Sequence, residues 1–97
     1  MAIDPEQLQI KNNVERNRFE LTMGDKTALL TYTMSGNRII FIHTEVPPEF
    51  QGTGIGNRLA QTALEFAKAQ EYFVLARCPF VAAYIRRHPE YQSLLKH

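Results

Sequence analysis

The sequence holds one cysteine, no excess of charge of either sign and no apolar run long enough to cross a membrane. A single cysteine cannot form an internal disulfide, which fits a reducing compartment and leaves Cys78 as a free thiol. The N-terminal stretch from Met1 to Pro5 has neither the basic start nor the apolar core of a secretory signal. These absences predict a cytoplasmic protein that does not interact with membranes.

The charge balance and the lack of repeats further limit the classes of protein to which this chain can belong. The 11 lysines and arginines nearly balance the 10 aspartates and glutamates, so the broad basic field that drives sequence-independent nucleic-acid binding is missing. We find no internal repeat, low-complexity tract or linker. Residues 1–97 are therefore predicted to form one domain. Its core must be compact, because folding at this length buries only about 60–65% of the surface of the unfolded chain.

The N-terminal half alternates apolar and polar residues, as half-buried strands do. Met34 is expected on the buried face of the hairpin, together with the other apolar residues of its strand. The segments that follow this pattern are a weak first strand with Leu8, Ile10 and Val14, the two arms of a hairpin at 18–23 and 28–34, and a central strand at 38–46.

The C-terminal half predicts a strand–helix–strand unit that begins with the central strand. Apolar residues at helical spacing form an inward stripe over residues 55–69. A buried strand at 72–77 follows, which requires a parallel pair with a right-handed crossover. A short helix then starts near Phe80 and ends near His88, because Pro89 disfavours helical dihedrals in the preceding residue. The predicted fold class is α/β, with antiparallel N-terminal strands and one parallel unit in a compact mixed β-sheet.

A glycine-rich loop, Gln51-Gly52-Thr53-Gly54-Ile55-Gly56, joins the central strand to the long helix. Glycines let the backbone approach a ligand closely and adopt dihedrals that a side chain forbids. The first N–H groups of a helix lack intrahelical acceptors, and with the helix dipole they favour an anion such as phosphate or pyrophosphate. The loop therefore predicts a phosphate site. The alternative is an ordinary glycine-rich turn.

Spacing separates this loop from two other phosphate motifs. A dinucleotide fingerprint needs G-x-G-x-x-G, and counting from Gly52 its third glycine is replaced by Asn57. A Walker loop ends in Gly-Lys-Ser/Thr, whereas Asn57 and Arg58 follow the last glycine here. The remaining pattern is Gln-x-x-Gly-x-Gly, with Gln51, Gly54 and Gly56 in the key places.

This pattern resembles the acyl-coenzyme A pyrophosphate loop of the GCN5-related N-acetyltransferases. Two more segments occur in that family's order and spacing, namely His43-Thr44-Glu45-Val46-Pro47 before the loop and the stretch from Cys78 to Tyr91 after it. Together they resemble the small stand-alone branch of the family over about residues 18–95. The resemblance implies a minimal acyl-coenzyme A N-acyltransferase fold, acetyl-coenzyme A (acetyl-CoA) as cofactor and an amine-bearing small molecule or protein as acceptor.

The resemblance also implies where the cofactor binds. Backbone groups of Val46, at the end of the central strand, are expected to pair with the pantetheine arm. Asn57 and Arg58 can each add a polar contact to a phosphate oxygen or remain solvated helix residues. The pyrophosphate is expected against the loop and the helix start, at Gln51, Gly52, Thr53, Gly54, Ile55, Gly56 and Asn57.

Cys78 lies between the predicted strand at 72–77 and the short helix, and Pro79 is suited to the first helical position. A sulfur beside a helix N-terminus is favoured as thiolate. The resemblance places this cysteine near the reactive end of the cofactor, where it could accept an acyl group or assist its transfer. We therefore expect a reactive thiol that is not buried. The alternative is a cysteine that packs as a small apolar residue.

Tyr84 is the candidate general acid. In the superfamily a tyrosine on this helix often protonates the departing coenzyme A (CoA) thiolate, which the resemblance carries over to Tyr84. A phenol suits the task, since its ordinary pKa of about 10 lies above that of a thiol. The alternative is an aromatic residue that packs the helix onto the sheet.

His43 is the candidate general base. In a regular strand His43 and Glu45 share a face with Ile39 and Phe41, so that face turns polar as it approaches the glycine loop. A histidine there could take a proton from the incoming amine near neutral pH. The alternative is a structural histidine. The carboxylate base of the superfamily has no counterpart, because its place falls at Ile40.

The segment between the first two strands is too short for the two helices that help to form the acceptor site in larger acetyltransferases. The acceptor side is therefore expected to be open or completed by a partner, such as a second copy in a homodimer. These absences favour a non-catalytic module that binds CoA or acyl-CoA. The presence of Cys78, Tyr84 and His43 near one cleft favours an N-acetyltransferase, which is the leading hypothesis.

Overall fold

The computed structural model describes residues 9–95 and contains one five-stranded sheet and two α-helices. The sheet order is β1-β2-β3-β4-β5, with antiparallel neighbours up to β4 and a parallel β4–β5 pair. This confirms the predicted mixed α/β fold. Within residues 9–95 no helix is long and apolar enough to cross a membrane. The elements are β1 (Lys11–Asn13), β2 (Arg18–Met23), β3 (Lys26–Ser35), β4 (Arg38–Glu45), α1 (Ile55–Ala69), β5 (Phe73–Ala76) and α2 (Pro79–Arg87), with 3-10 turns at Val14–Arg16, Pro48–Phe50 and Pro89–Leu94.

The core lies between one face of the sheet and the apolar stripe of α1. Phe19 of β2 pairs with Leu30 of β3, and because paired residues of antiparallel strands share a face, both are buried on the same side. The helix is buried along its small residues Ala60, Ala63 and Ala67. This packing fixes the N-terminal end of α1 beside the C-terminal end of β4, where the glycine loop joins them.

Two details of the N-terminal half differ from the sequence predictions. Val14 does not belong to the first strand, because the side chain of Asn13 accepts a hydrogen bond from the Arg16 N–H and closes a 3-10 turn there. The Val14 side chain is consequently 67% exposed. Met34 is also exposed, since it lies next to the β3–β4 turn at the end of the sheet. Leu8 lies outside the described residues.

A β-bulge in β4 changes which side chains face the core. Tyr32 of β3 pairs with Phe41, but the preceding residue of β3 pairs with His43, so Ile42 is an extra residue without a partner in β3. Beyond the bulge Thr44 pairs with Leu30, which places Thr44 on the buried face that also carries Phe41. The expectation that His43 shares a face with Phe41 is therefore wrong, because it assumed a regular strand.

The chain after α2 is tied back to α1. Pro79 occupies the first turn of α2, and the helix ends at Arg87, close to the predicted end before Pro89. Pro89 then begins a 3-10 turn. The hydroxyl of Tyr91 in that turn donates to a carboxylate oxygen of Glu65 on α1 at 2.6 Å. This bond holds the C-terminal segment against the middle of α1, on the far side of α2 from the glycine loop.

Candidate functional site

An open pocket of about 760 Å³ lies where β4, the glycine loop and the two helix N-termini meet. Most of the loop and helix-start residues that the sequence assigns to the cofactor border this pocket, and Val46 does as well. Thr53 and the candidates for acid and base do not. The lining consists of Thr44, Val46, Phe50, Gln51, Gly52, Gly54, Ile55, Gly56, Asn57 and Phe80.

The loop end of the pocket is built around two glycines in left-handed conformations. Gly52 and Gly54 have φ angles of 81° and 82°, a region that side-chain-bearing residues rarely adopt. Gly54 is the N-cap of α1, and its carbonyl accepts from the Arg58 N–H at 3.0 Å. The N–H groups of the first turn have no acceptor within the helix, and that turn carries no acidic side chain. This end of the pocket therefore favours an anion.

Gly56 has a different role. Its φ is not positive, but a Cβ at this position lies 2.9 Å from the ring of Phe80. The ring packs on the α1 backbone and forms a wall of the pocket, with 36% of the side chain exposed. The sequence interpretation missed Phe80. The available signal was a large apolar residue that lies off the buried stripe of α2.

The β4 end of the pocket is open because β4 and β5 diverge. Their ladder ends at Phe41 and Ala76, and the N–H groups of Arg77 and Cys78 both donate to the Phe41 carbonyl, at 2.9 and 3.0 Å. The chain then turns into α2, whereas β4 continues to Glu45. The β5 side of these last β4 residues faces the gap, where an extended ligand could pair with their backbone groups.

Cys78 lies behind this end of the pocket rather than in it. Its sulfur is 3.1 Å from the hydroxyl oxygen of Thr44, and its side chain is only 3% exposed. Thr44 borders the pocket, whereas Cys78 does not. Cys78 does precede Pro79 at the start of α2, as predicted. The expectation of an unburied thiol is wrong, because the bulge in β4 turns Thr44 over the sulfur.

The burial of Cys78 predicts slow chemical labelling. We expect a maleimide to modify this thiol at least about tenfold more slowly than a cysteine in an unstructured peptide, because the reagent must wait for local opening of the structure. Labelling of the protein in denaturant should match the peptide rate and serves as the control. Native labelling as fast as that of the peptide contradicts the buried position.

Tyr84 and His43 are not brought into the pocket. The Tyr84 ring stacks on His88 with centroids 3.9 Å apart, at the end of α2 remote from the glycine loop. Burial and the neighbouring Glu90 carboxylate raise the pKa of Tyr84. His43 is exposed on the face of β4 opposite Thr44, and its carbonyl accepts from the Thr31 hydroxyl. The packing interpretation fits Tyr84, which is buried.

Comparison with known proteins gives one family. A sequence model of the GCN5-related N-acetyl-transferase family matches residues 18–94, which spans β2 to the last 3-10 turn and includes the whole pocket. The chain belongs to the GCN5-related N-acetyltransferase family. This confirms the resemblance drawn from the glycine loop and its flanking segments.

Relatives of this family member have similar lengths. The NATD1 proteins of Gallus gallus and Homo sapiens are 30% and 29% identical over 90 residues, which is 90% of this chain and 82% and 80% of theirs. The solution NMR structure of a GCN5-like protein from Staphylococcus aureus superposes with a TM-score of 0.73 at 27% identity, covering 92% of this chain and 88% of that one. Sequence and structure thus agree on the N-acetyltransferase fold.

This N-acetyltransferase family member has a short connection between its first two strands. The 3-10 turn at Val14–Arg16 and the left-handed Asn17 fill the whole interval between β1 and β2. This confirms the expectation that the connection is a turn too short to contain two helices.

Proposed function

We propose that the protein binds acetyl-CoA in this pocket and transfers the acetyl group to an amine. The observation that carries the proposal is a single continuous pocket that joins an anion-favouring helix N-terminus to the end of β4, which has no partner strand on its β5 side beyond Phe41. A ligand with a pyrophosphate at one end and an extended, amide-bearing arm matches both parts. The ligand that combines these features with a transferable acyl group is an acyl-CoA.

Each part of the pocket then has a task. The pyrophosphate binds to the N–H groups of residues 51–57, with the Asn57 amide as an additional donor. The pantetheine arm pairs with the backbone at Val46 and runs along β4 toward Thr44. Phe80 covers the arm from the opposite side. The thioester consequently lies at the β4 end of the pocket, beside the Thr44–Cys78 contact.

The chemistry at that end consists mainly of positioning. A neutral amine attacks the thioester carbonyl, and the amine proton passes to water, since the candidate base His43 lies on the other face of the strand. Cys78 assists from behind Thr44, which fits its burial better than a role as acyl carrier. Tyr84 has no part in this scheme, because its ring is held at the other end of α2.

The alternative function is a module that binds CoA or an acyl-CoA without catalysis. It is favoured by Ile40, which stands where the superfamily has its carboxylate base, and by the absence of a helix between β1 and β2. Both functions share the cofactor site. They differ in whether an acetylated product forms.

The two functions are separated by a binding and a product measurement on the same preparation. Calorimetry should show that acetyl-CoA and CoA bind with one molecule per chain. Mass spectrometry after incubation with acetyl-CoA and a mixture of amines and peptides should detect acetylated products that are absent without protein. Binding without any product supports the non-catalytic module. Failure of both ligands to bind refutes the site itself.

A further inference from the structure

Thr44 is the pocket residue whose position depends most directly on the β4 bulge. The extra residue Ile42 moves Thr44, instead of His43, onto the face that borders the pocket. Thr44 lines the end of the pocket away from the glycine loop, and its hydroxyl oxygen lies 3.1 Å from the sulfur of Cys78. Nothing in the sequence motifs gave Thr44 a role.

The contact with Cys78 determines what the Thr44 hydroxyl can do. A hydroxyl has one hydrogen to donate and can also accept, and a neutral thiol can donate its S–H. When Cys78 donates to the Thr44 oxygen, the hydroxyl hydrogen is free to point elsewhere, and the pocket lies on the open side of Thr44. The buried thiol thus acts on the orientation of the hydroxyl of a residue that lines the pocket.

We propose that Thr44 donates a hydrogen bond to the sulfur of CoA and that Cys78 is the residue that positions the Thr44 hydroxyl. This inference rests on the proposed function, since it requires the thioester at the β4 end of the pocket. The ligand group it assigns is the thiol or thiolate of CoA. Cys78 itself is not acylated.

The bond changes at the thioester are balanced without proton transfer from Thr44. The nitrogen lone pair of the amine forms the new C–N bond, and the C–S bond breaks with its electron pair on sulfur, which leaves as CoA thiolate. The extra proton on nitrogen passes to water. The Thr44 hydroxyl stabilises the thiolate by a hydrogen bond, and such bonds to a charged acceptor are stronger than neutral ones.

The test measures binding of the CoA thiolate and needs no acceptor. Calorimetry at pH 7 and pH 9.5 gives the affinity of CoA relative to desulfo-CoA, which lacks the sulfur but carries the same phosphates and adenine. The protein carries Cys78→Ser, because serine keeps a donor at this position and leaves the thiol of CoA as the only thiol in the complex. Between pH 7 and pH 9.5 the affinity for CoA relative to desulfo-CoA should rise in this variant. In the double variant Cys78→Ser with Thr44→Val, which loses one charge-assisted hydrogen bond, we expect this rise to be about tenfold smaller.

A second comparison tests the role of Cys78. Cys78→Ala removes the group that orients the hydroxyl while leaving Thr44 in place. The affinity for CoA relative to desulfo-CoA should therefore rise less with pH in Cys78→Ala than in Cys78→Ser. If Thr44→Val does not fold, Thr44→Ala makes the same comparison, with circular dichroism as the control for folding.

The outcomes separate the inference from the proposed function. If CoA binds but Thr44→Val leaves the pH dependence unchanged, the role of Thr44 is refuted and the cofactor site stands. If Cys78→Ala and Cys78→Ser behave alike, Cys78 does not position the hydroxyl and that part is refuted. If the wild-type protein binds neither CoA nor desulfo-CoA, the proposed function and this inference are both wrong.

Discussion

Replacing Gly54 with valine is expected to weaken CoA binding by about a hundredfold or more. Gly54 caps α1 at a φ of 82°, and a β-branched residue cannot hold this conformation without strain of about 1–2 kcal/mol. The loop will shift to relieve that strain and turn the first N–H groups of α1 away from the pyrophosphate. Hydrogen bonds to a charged group are worth about 1.5–3 kcal/mol each, so the loss of two gives an effect of this size. Titration calorimetry of CoA into the wild-type and Gly54→Val proteins measures this change in affinity.

Gly36 provides a matched control for this experiment. It has a φ of 61° with no atom within 4 Å of a Cβ position, as Gly54 has, but it lies in the β3–β4 turn at the opposite end of β4 from the pocket. Gly36→Val should therefore cost similar stability and leave CoA affinity unchanged. A folded Gly54→Val protein with wild-type affinity contradicts the proposed cofactor site. Loss of binding in both variants attributes the effect to general destabilisation.

Turnover with simple amines is expected to be slow, at least about a hundredfold below the usual enzyme rate of order 10 s⁻¹. Complete positioning of two reactants can contribute roughly 7–11 kcal/mol, and loss of about 3 kcal/mol of this already gives that factor. The connection between β1 and β2 forms a 3-10 turn in place of helices, so the described chain offers little to hold the amine. The side of the pocket at which we propose that the amine enters is therefore open to solvent.

The dependence of rate on amine concentration checks this explanation. Without a binding site for the acceptor, the rate should increase linearly with a polyamine or amino acid and show no saturation, while acetyl-CoA saturates normally. Turnover near 10 s⁻¹ by a monomer with a saturable amine contradicts the open-site argument. Rates that increase with protein concentration more than proportionally indicate that a second copy completes the site.

Much of the fold follows from local sequence patterns. The alternation in β2 and β3, the inward stripe of α1 and the prolines around α2 predicted these elements close to their observed bounds. Each pattern reports on a few neighbouring residues, and secondary structure depends mainly on such neighbours. The loop of residues 51–57 could be interpreted in the same way, because its chemistry lies in the backbone and in the start of one helix. The family match confirms the family that this loop indicated, and the binding role of the loop stays a prediction.

The candidate reactive groups could not be placed in this way. His43 and Thr44 exchange faces because of one extra residue in β4, and that residue is defined only by the register with β3. A strand pattern cannot show a bulge when the residues around it are apolar on both faces, as they are at Ile39, Ile40 and Phe41. Pairing between β3 and β4 therefore decided that Thr44, and not His43, lines the pocket.

The sequence by itself determined the α/β order of elements, the glycine loop and the family, since all three are written in short-range spacing. Only the tertiary structure decided that Thr44 covers the sulfur of Cys78, that Phe80 packs on Gly56 and that Tyr84 stacks on His88 away from the pocket. These contacts join residues through the packing of separate elements or through the direction of a side chain on its helix. The geometry of the contacts between separate elements follows from how the helices lie on the sheet, which no local pattern encodes.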